Sequence, residues 1–523
     1  MVDNYYDKKV YLNKNIVSTI LKNNGLFCNH IPYCFSTDKL SEKIEALKDE
    51  FKEISVNKNV FPLTFTMNKN SLVRRVIGVP NVFSYLKLLF HLEDNWGFLK
   101  NKSYSKNSES RINILLPKHY NTNLKASLQT RHKKFVGYKI KLNLDISNCF
   151  DSIYTHSITW ALLGKNKAKE LFVSKDKTIF TEEENNIYKI ADKFDHLMQD
   201  LNGRQTNGII TGPYASVIFS EIILAEIDRI LAEKEYNFTR YVDDYNFYFV
   251  NENLVQPAME DIAKILKEYN FLLNTSKIKK ENYPFDLSID YQDLYLPYLK
   301  KGEICNALYK ALEYYKNGEE GAITYLLKML ESENFNGNFN IELILNLILN
   351  IVINVPKVSS LGIKILEQNM TSKFISNYKK ILNLILNNEL SLEHYHESMW
   401  LFYIIGKKKV SIDIENLKLI FKSNNDFLII MALNYIQENI NYVYEHNNHY
   451  LGEENVIKCL ADSFNNLSLL IQKEDLRGQH WLLLYELAYH NYSINGIIKI
   501  DKIKKTKLYQ LLNENDINFY IPF

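Results

Sequence analysis

The 523-residue sequence predicts an α+β protein in which a mixed domain is followed by an all-α repeat region. Two observations support this prediction. Strand-like runs, with polar and apolar residues alternating, lie within residues 136–300. Beyond residue 300 the chain is rich in Leu and Ile, poor in Gly and helical in pattern. We therefore expect three regions: an N-terminal segment at 1–135, a mixed domain at 136–300 and a helical domain at 301–523.

Composition places the chain among globular proteins, since 46% of its residues are hydrophobic and 24% are charged. The net charge of +2 lends no support to a nucleic-acid-binding class, so any basic surface must be local. Five scattered cysteines without a C-x-x-C pair argue against a disulfide framework or a zinc site. The N-terminus is charged, and no segment has the roughly 18 uninterrupted apolar residues of a membrane helix. We expect a cytoplasmic protein with no membrane partner.

The C-terminal region contains an internal repeat. The heptapeptide Ile-Leu-Asn-Leu-Ile-Leu-Asn occurs at 344–350 and again at 381–387, and a looser copy follows at 417–422. Spacing of this order is typical of helical-pair repeats, whose units bury their apolar faces only by stacking on neighbours. We expect a stack of antiparallel helices in which the two heptads occupy equivalent places. The alternative is chance similarity in an Asn-, Leu- and Ile-rich sequence.

Two adjacent acids, Asp243 and Asp244, interrupt an aromatic and β-branched run at 238–250. This pattern predicts a β-hairpin with the acids at its turn. The alternative is a solvated loop, but such a loop would bring Gly, Ser or Pro. An unpaired carboxylate in an apolar frame is costly, and a bound cation would offset that cost. Hard oxygen ligands of this type suit Mg²⁺.

A third acid, Asp145, ends a stretch at 139–145 that alternates polar and apolar residues as a half-buried strand does. Phosphoryl transfer by two metal ions needs carboxylates from separate strands that converge on ions about 3.5–4 Å apart. Two acid-tipped strands make that geometry possible. Asp145, Asp243 and Asp244 are therefore the candidate catalytic and metal-binding residues.

At this point the sequence resembles the reverse transcriptases. Tyr241-Val-Asp-Asp244 resembles their Y-x-D-D box, and Asp145 followed by Phe150 resembles their first catalytic motif. Between them, Gly208 and Pro213 match the Q-G-x-x-x-S-P motif at the right spacing.

Two further motifs complete the family's order. Arg75-Val-Ile-Gly-Val-Pro80 resembles the R-x-I-x-x-P segment of the fingers. Leu273-Asn-Thr-Ser-Lys277 resembles the L-N-x-x-K motif near the end of the palm. Any one motif would be weak, but five in order indicate a fingers and palm core.

The closer resemblance is to the AbiK-like abortive-infection reverse transcriptases, a group of bacterial phage-defence enzymes. Residues 145–157, D-I-S-N-C-F-D-S-I-Y-T-H-S, are similar to that group's D-I-S-N-F-Y-P-S-I-Y-T-H-S. Residues 205–216 resemble its Q-T-x-G-I-P-I-G-P-D-T-S stretch, and Glu221 and Asp228 fall in segments similar to its E-I-I-L and I-D.

This resemblance implies a reverse-transcriptase fingers and palm core, followed by a HEAT-like helical domain in place of a conventional thumb. It implies a template-independent, protein-primed DNA polymerase of the bacterial cytoplasm that acts in defence against phage. The substrates would be deoxynucleoside triphosphates with Mg²⁺, or Mn²⁺ as the alternative. The product would be single-stranded DNA attached to a tyrosine, and the enzyme would be a homo-oligomer. The sequence does not identify the priming tyrosine; four candidates precede the palm, namely Tyr5, Tyr6, Tyr11 and Tyr33.

The resemblance also implies roles for single residues. Arg75 would clamp the triphosphate bidentately, with Arg74 as the alternative and a solvated basic face as the competing interpretation. Phe150 would lie under the sugar and exclude a 2′-hydroxyl, unless it only packs in the core. Lys277 would neutralise the pyrophosphate leaving group or contact a phosphate backbone.

Gly208 and Pro213 would shape the nucleotide pocket through the backbone alone. Among the three acids, Asp145 and Asp243 would be the principal metal ligands and Asp244 a weaker third. His119 and His156 have no acid partner at a suggestive spacing, so both are interpreted as structural.

Two other functions remain open from sequence. One is a conventional RNA-templated reverse transcriptase, which the palm motifs do not distinguish from a template-independent enzyme. The other is a catalytically silent scaffold whose helical repeats bind a partner, although the presence of all three acids argues against it.

Overall fold

The structure, a computed structural model, describes residues 15–28, 30–57, 59–69, 73–110, 131–174, 176–285, 291–331, 335, 340–445, 449–494 and 496–523. It is mostly helical and contains three small sheets. Tyr5, Tyr6, Tyr11 and His119 lie outside the described residues.

The N-terminal elements are three short helices, a β-hairpin and two further helices. They are α1 (Ile16–Lys22), α2 (Asp38–Lys43), α3 (Lys48–Glu53), β1 (Leu63–Asn68), β2 (Arg74–Val79), α4 (Val82–Asp94) and α5 (Trp96–Lys102). In β1 the apolar residues Leu63, Phe65 and Met67 are buried and alternate with more exposed polar ones, so one face of the hairpin joins the core. The strands are antiparallel, and Met67 pairs with Arg75.

The elements that follow include a four-stranded antiparallel sheet. They are β3 (Ile140–Asp145), α6 (Cys149–Ser152), α7 (Ser157–Leu163), α8 (Lys165–Val173), α9 (Glu182–Asp200), α10 (Tyr214–Glu233), β4 (Phe238–Tyr241), β5 (Asp244–Phe249), α11 (Val255–Glu268) and β6 (Lys279–Asn282). The strand order is β4-β5-β3-β6. The alternating stretch is a strand that ends at Asp145, and the aromatic run is a hairpin, as predicted. The turn lies one residue earlier than predicted, at Val242 and Asp243, so Asp244 is the first residue of β5.

The C-terminal half is built mainly from paired helices. They are α12 (Tyr291–Lys300), α13 (Ile304–Lys316), α14 (Gly321–Leu330), α15 (Ile341–Asn354), α16 (Ser359–Asn369), α17 (Ser372–Ser376), α18 (Lys379–Ser391), α19 (Tyr395–Lys407), α20 (Ile414–Lys422), α21 (Asp426–Asn439), α22 (Glu453–Cys459), α23 (Ala461–Lys473), α24 (Trp481–Tyr489), α25 (Asp501–Lys504) and α26 (Lys507–Glu514). The all-α prediction misses a small sheet, β7 (Ile412–Asp413), β8 (Val443–Glu445) and β9 (His449–Tyr450). These strands are two or three residues long, too short to give a readable alternation.

Both copies of the heptapeptide are helical, the first in α15 and the second in α18, and each helix packs on the next long helix. Leu345 and Leu349 are buried, as are their counterparts Leu382 and Leu386. The first residues of the heptads differ, because Ile344 is fully buried whereas Ile381 is 45% exposed. The helical part of the prediction is confirmed, and equivalence of the two units as HEAT-like repeats stays a prediction.

The helical half packs against the N-terminal segment and the β1–β2 hairpin. Trp400 donates a hydrogen bond to the carbonyl of His30, and helix α19 contacts β1. The ring of Phe27 stacks on Trp481 with a centroid separation of 6.5 Å. The N-terminal segment therefore shares its core with the helical half.

Within the described residues, no single helix is long and apolar enough to cross a membrane. The pair Ile341–Asn354 and Pro356–Asn369 passes that test only when joined, and its two parts meet at 116°.

Candidate active site

The two strands that carry the acids at their ends, β3 and β5, are neighbours in the sheet. Strands β3 and β5 are antiparallel, and Asp145, the last residue of β3, pairs directly with Asp244, the first residue of β5. Directly opposed residues of an antiparallel pair bring their Cβ atoms to about 5 Å. The two carboxyl groups consequently share a hydrogen bond.

Asp244 is the acid of this pair that is harder to ionise. Its pKa is raised to about 7 by burial of the carboxyl group, by the hydrogen bond to Asp145 and by the negative charges of Asp243 and Asp145. Burial would also raise the pKa of Asp145. Hydrogen bonds from Asp244, Lys277 and Asn274 outweigh that effect and hold the pKa of Asp145 below its ordinary value.

Asp243 occupies the turn between β4 and β5. Its pKa is raised by burial and by the charge of Asp145, an effect that the cations Arg75 and Lys277 partly offset. The peptide N–H of Ile146 donates to the carbonyl of Asp243 at 3.3 Å, which ties the turn to the end of β3. All three acids thus lie within electrostatic range of one another.

The L-N-x-x-K segment is folded against Asp145. Lys277 Nζ lies 3.1 Å from Asp145 Oδ1, although the lysine side chain is 54% exposed. Asn274 donates from Nδ2 to Asp145 Oδ2 at 3.0 Å, and its peptide N–H donates to the carbonyl of Asp145 at 2.8 Å. Asn274 was not singled out from sequence. Its place in the motif is the signal that could have identified it.

The adjacent arginines of β2 point to different partners, as neighbours on a strand do. Arg74 makes a bidentate ion pair with Glu397 of α19, at 2.9 and 2.6 Å, and also donates to Thr66. Arg75 is exposed and lowers the pKa of Asp243 through its charge. Of the two, Arg75 is the one whose charge acts on the acids.

Phe150 and Gly208 are brought together by backbone hydrogen bonds. The N–H of Ile209 donates to the carbonyl of Phe150 at 3.0 Å, and that of Gly208 donates to Ile153 at 2.9 Å. The Phe150 side chain is half-buried. Gly208 has φ +83, and a Cβ there would lie 3.2 Å from the carbonyl oxygen of Asp151. Only glycine adopts this conformation readily at so close a contact.

Pro213 is buried and caps the start of α10. The residue before it, Gly212, has φ +135, and a Cβ there would lie 2.9 Å from the carbonyl oxygen of Gly78 in β2. The N–H of Gly78 donates in turn to Thr211 at 2.9 Å. Strand β2, which carries Arg75, is thereby joined to the loop that carries Gly208.

Two further side chains, those of His156 and Tyr33, have partners that the sequence did not reveal. His156 does have an acid partner, because Nδ1 is hydrogen-bonded to buried Asp195 in α9. Their separation of 39 residues hides the pair from any spacing argument. The hydroxyl of Tyr33 donates to the carbonyl of Ser360 at 3.0 Å, and the residue lines a cavity of about 470 Å³ with Tyr403 and Phe523.

The chemistry of the acids fits a divalent cation. Among the described residues, no group of three or more His, Cys, Asp or Glu side chains is arranged so that it could hold a metal ion. However, Asp145 and Asp244 face each other, and burial together with neighbouring negative charge raises the pKa values of Asp243 and Asp244. A hard cation would offset both effects.

The sheet, with paired acids at the ends of its two central strands, lies within a domain of reverse-transcriptase-like polymerase fold. Residues 98–292 match the family model described as "Reverse transcriptase (RNA-dependent DNA polymerase)". The match includes all three acids and indicates a nucleotidyltransferase domain of that family. It includes neither Arg75 nor the helical half.

Among solved structures, the chain is similar to apo telomerase from Candida tropicalis at 16% identity and a TM-score of 0.33, covering 77% of this chain and 73% of that one. It is also similar to telomerase from Candida albicans in complex with a fragment of telomeric RNA, at 14% identity and a TM-score of 0.26, covering 73% and 68%. No curated protein matches the chain.

Proposed function

We propose that the chain is a DNA polymerase that uses deoxynucleoside triphosphates. The observation that carries this proposal is the opposition of Asp145 and Asp244 on adjacent strands, within the segment that matches the reverse transcriptase family. The reaction joins a hydroxyl oxygen to the α-phosphorus of the nucleotide. The bond from that phosphorus to the β-phosphate breaks, and pyrophosphate leaves.

The acids and cations of the site have separate tasks in this proposal. Asp145, Asp243 and Asp244 would hold Mg²⁺ or Mn²⁺, which when bound supplies activation of the attacking hydroxyl and neutralises charge on the leaving group. Arg75 orients the triphosphate through its guanidinium. Lys277 neutralises negative charge on the departing pyrophosphate.

The remaining pocket residues select and seat the sugar. Phe150 lies at the start of α6 beside the Gly208 loop, and its ring excludes a 2′-hydroxyl by bulk. Gly208 and Pro213 keep the backbone close to the nucleotide without side-chain chemistry.

The finer proposal is template-independent, protein-primed synthesis in bacterial defence against phage, by a homo-oligomer. It rests on the resemblance to the AbiK-like group. Of the four N-terminal tyrosine candidates, Tyr33 is the one whose surroundings the structure describes, and its hydroxyl is engaged by Ser360.

A second candidate is RNA-templated DNA synthesis. The description of the matching family model, an RNA-dependent DNA polymerase, favours it. The two candidates share the same acids and differ in whether a template strand is required.

The test uses the purified full chain with labelled deoxynucleotides and Mg²⁺, first without nucleic acid and then with an RNA template and a DNA primer. Asp243→Asn serves as the inactive variant, and Asp49→Asn, an exposed acid of α3, as the matched control. Label that migrates with the denatured protein and is released by protease supports protein priming. Label that appears only with the template supports the second candidate. No incorporation under either condition would contradict the polymerase proposal, and light scattering separately tests the homo-oligomer.

A further inference from the structure

A buried ion cluster lies behind the hairpin that carries the acids. It consists of Arg240 in β4 and of Glu221 and Asp228 in α10, and each of these side chains is at most 2% exposed. The acids are seven residues apart, two turns of helix, so both project from the same face of α10. A long, rigid helix thus presents two carboxylates to one guanidinium.

The guanidinium of Arg240 donates hydrogen bonds from all three of its nitrogens. Nε donates to Asp228 at 2.9 and 3.0 Å, and Nη2 reaches Glu221 at 2.7 Å and Asp228 at 2.8 Å. Nη1 donates to Glu221 at 3.0 Å and to the carbonyl of Val242 at 2.8 Å. Lysine has three donors on one nitrogen and no planar fork, so it cannot make this set of bonds.

The hydrogen bond from Arg240 to the carbonyl of Val242 constrains the turn between β4 and β5. Val242 has φ +56, a left-handed conformation that β-branched residues rarely adopt. Its N–H donates to Ser110 Oγ at 2.9 Å, while its carbonyl accepts from Arg240. The peptide groups on both sides of Val242 are therefore held, immediately before Asp243 and Asp244.

We propose that Arg240, held by Glu221 and Asp228, is a positioning residue that sets the Val242 turn and thereby the orientation of Asp243 and Asp244. The inference rests on the proposed polymerase function. Arg240 has no contact with the nucleotide in this account and acts only through the turn.

Two variants of the full chain test the proposal. Arg240→Lys keeps the positive charge of the cluster but removes the planar guanidinium group that donates to both acids and to Val242. The triple variant Arg240→Met, Glu221→Gln and Asp228→Asn removes all three charges, so no buried charge is left unpaired. The matched control is Asp426→Asn with His480→Gln, which neutralises a buried ion pair in the helical half.

The measurements are kcat and KM for deoxynucleotide incorporation, the thermal midpoint, and amide hydrogen exchange of peptides spanning 238–249. We expect kcat to fall at least about tenfold in both Arg240 variants, because small misplacements of reacting groups have effects of this size. KM should change less than about twofold, since substrate binding by Arg75 and Phe150 is unaltered. Exchange should rise across the turn, and the control should lower only the thermal midpoint.

Wild-type kcat in a folded Arg240→Lys or triple variant would overturn the proposal. So would a loss of kcat equal to that of the control at an equal loss of thermal midpoint. If Arg240→Lys does not fold, the triple variant decides. Failure of the polymerase proposal looks different, because the wild-type chain itself would then incorporate nothing; hydrogen exchange at the turn would still report whether Arg240 holds it.

Discussion

Asp145 and Asp244 face each other across adjacent antiparallel strands, and a hydrogen bond links their carboxyl groups. Two carboxylates so close repel each other, and the ammonium group of Lys277 and the amide of Asn274 offset part of that repulsion at Asp145. An active site built around a divalent cation has the same need for positive charge.

Asp243→Asn and Asp244→Asn should each lower nucleotide incorporation at least about 100-fold, because several kcal/mol of charge stabilisation depend on the acids. Neither should lower the thermal midpoint, since both carboxyl groups already have raised pKa values in the folded protein. Incorporation assays and calorimetry on the two variants check this. Near-normal activity of Asp243→Asn would contradict its catalytic assignment.

Asn274→Ala should reduce kcat by about tenfold, because Asp145 loses a hydrogen bond that holds its carboxylate in place. Asn306→Ala is the control, as it removes an amide from the exposed surface of α13. Steady-state kinetics of both variants give the comparison. Equal activity of the two would show that Asn274 is dispensable for orienting Asp145.

Phe150→Val should admit ribonucleotides and reduce discrimination against them by at least about tenfold, a loss of about 1.4 kcal/mol of selectivity. The backbone around Phe150 should keep its structure, because the N–H groups of Ile209 and Gly208 donate to backbone carbonyls and the ring takes no part in these bonds. Competition between dNTP and rNTP measures the ratio, with Phe172→Val, an exposed ring in α8, as the control. Unchanged discrimination in folded protein would return Phe150 to a core-packing role.

Substitution of Arg75 should affect KM, whereas substitution of Arg74 should affect the free energy of unfolding. Arg75→Ala should raise KM about tenfold without changing the free energy of unfolding, because Arg75 is exposed. Arg74→Ala should lower the free energy of unfolding by about 1–3 kcal/mol, because Glu397, only 7% exposed, loses its partner. Kinetics and denaturant unfolding of both variants test the distinction. The opposite pattern would move the nucleotide contact to Arg74.

His156→Gln should destabilise the protein more at pH 5.5 than at pH 8.5. The hydrogen bond to Asp195 raises the pKa of His156 above 6.5, so its contribution is complete below that pH and is lost as pH rises through the folded-state pKa. Burial opposes ionisation of Asp195, but His156 and neighbouring hydrogen bonds lower its pKa below 3.8, so its contribution disappears only in acid. The effect should be about 1 kcal/mol or less, because the imidazole is 40% exposed although Asp195 is buried, and it is measured by thermal unfolding at both pH values. A destabilisation independent of pH would mean that the ion pair contributes nothing.

Much of the four-stranded sheet could be predicted from local pattern. The alternation at 139–145 and the aromatic frame around Asp243 and Asp244 are properties of neighbouring residues, and strand periodicity translates them directly into structure. The two heptads likewise predict helices, because apolar spacing along a helix is a local property.

Tertiary structure alone decided which side chains meet. Pairing of Asp145 with Asp244 depends on strand register across about a hundred residues of sequence, and the contact of Asn274 with Asp145 depends on how a later segment returns to β3. The ion pair of Arg74 with Glu397, a residue of the helical half, likewise distinguishes it from its neighbour Arg75. Such contacts join positions far apart in the chain, so their formation depends on packing of the whole molecule, whereas periodicity records only the preferences of neighbours.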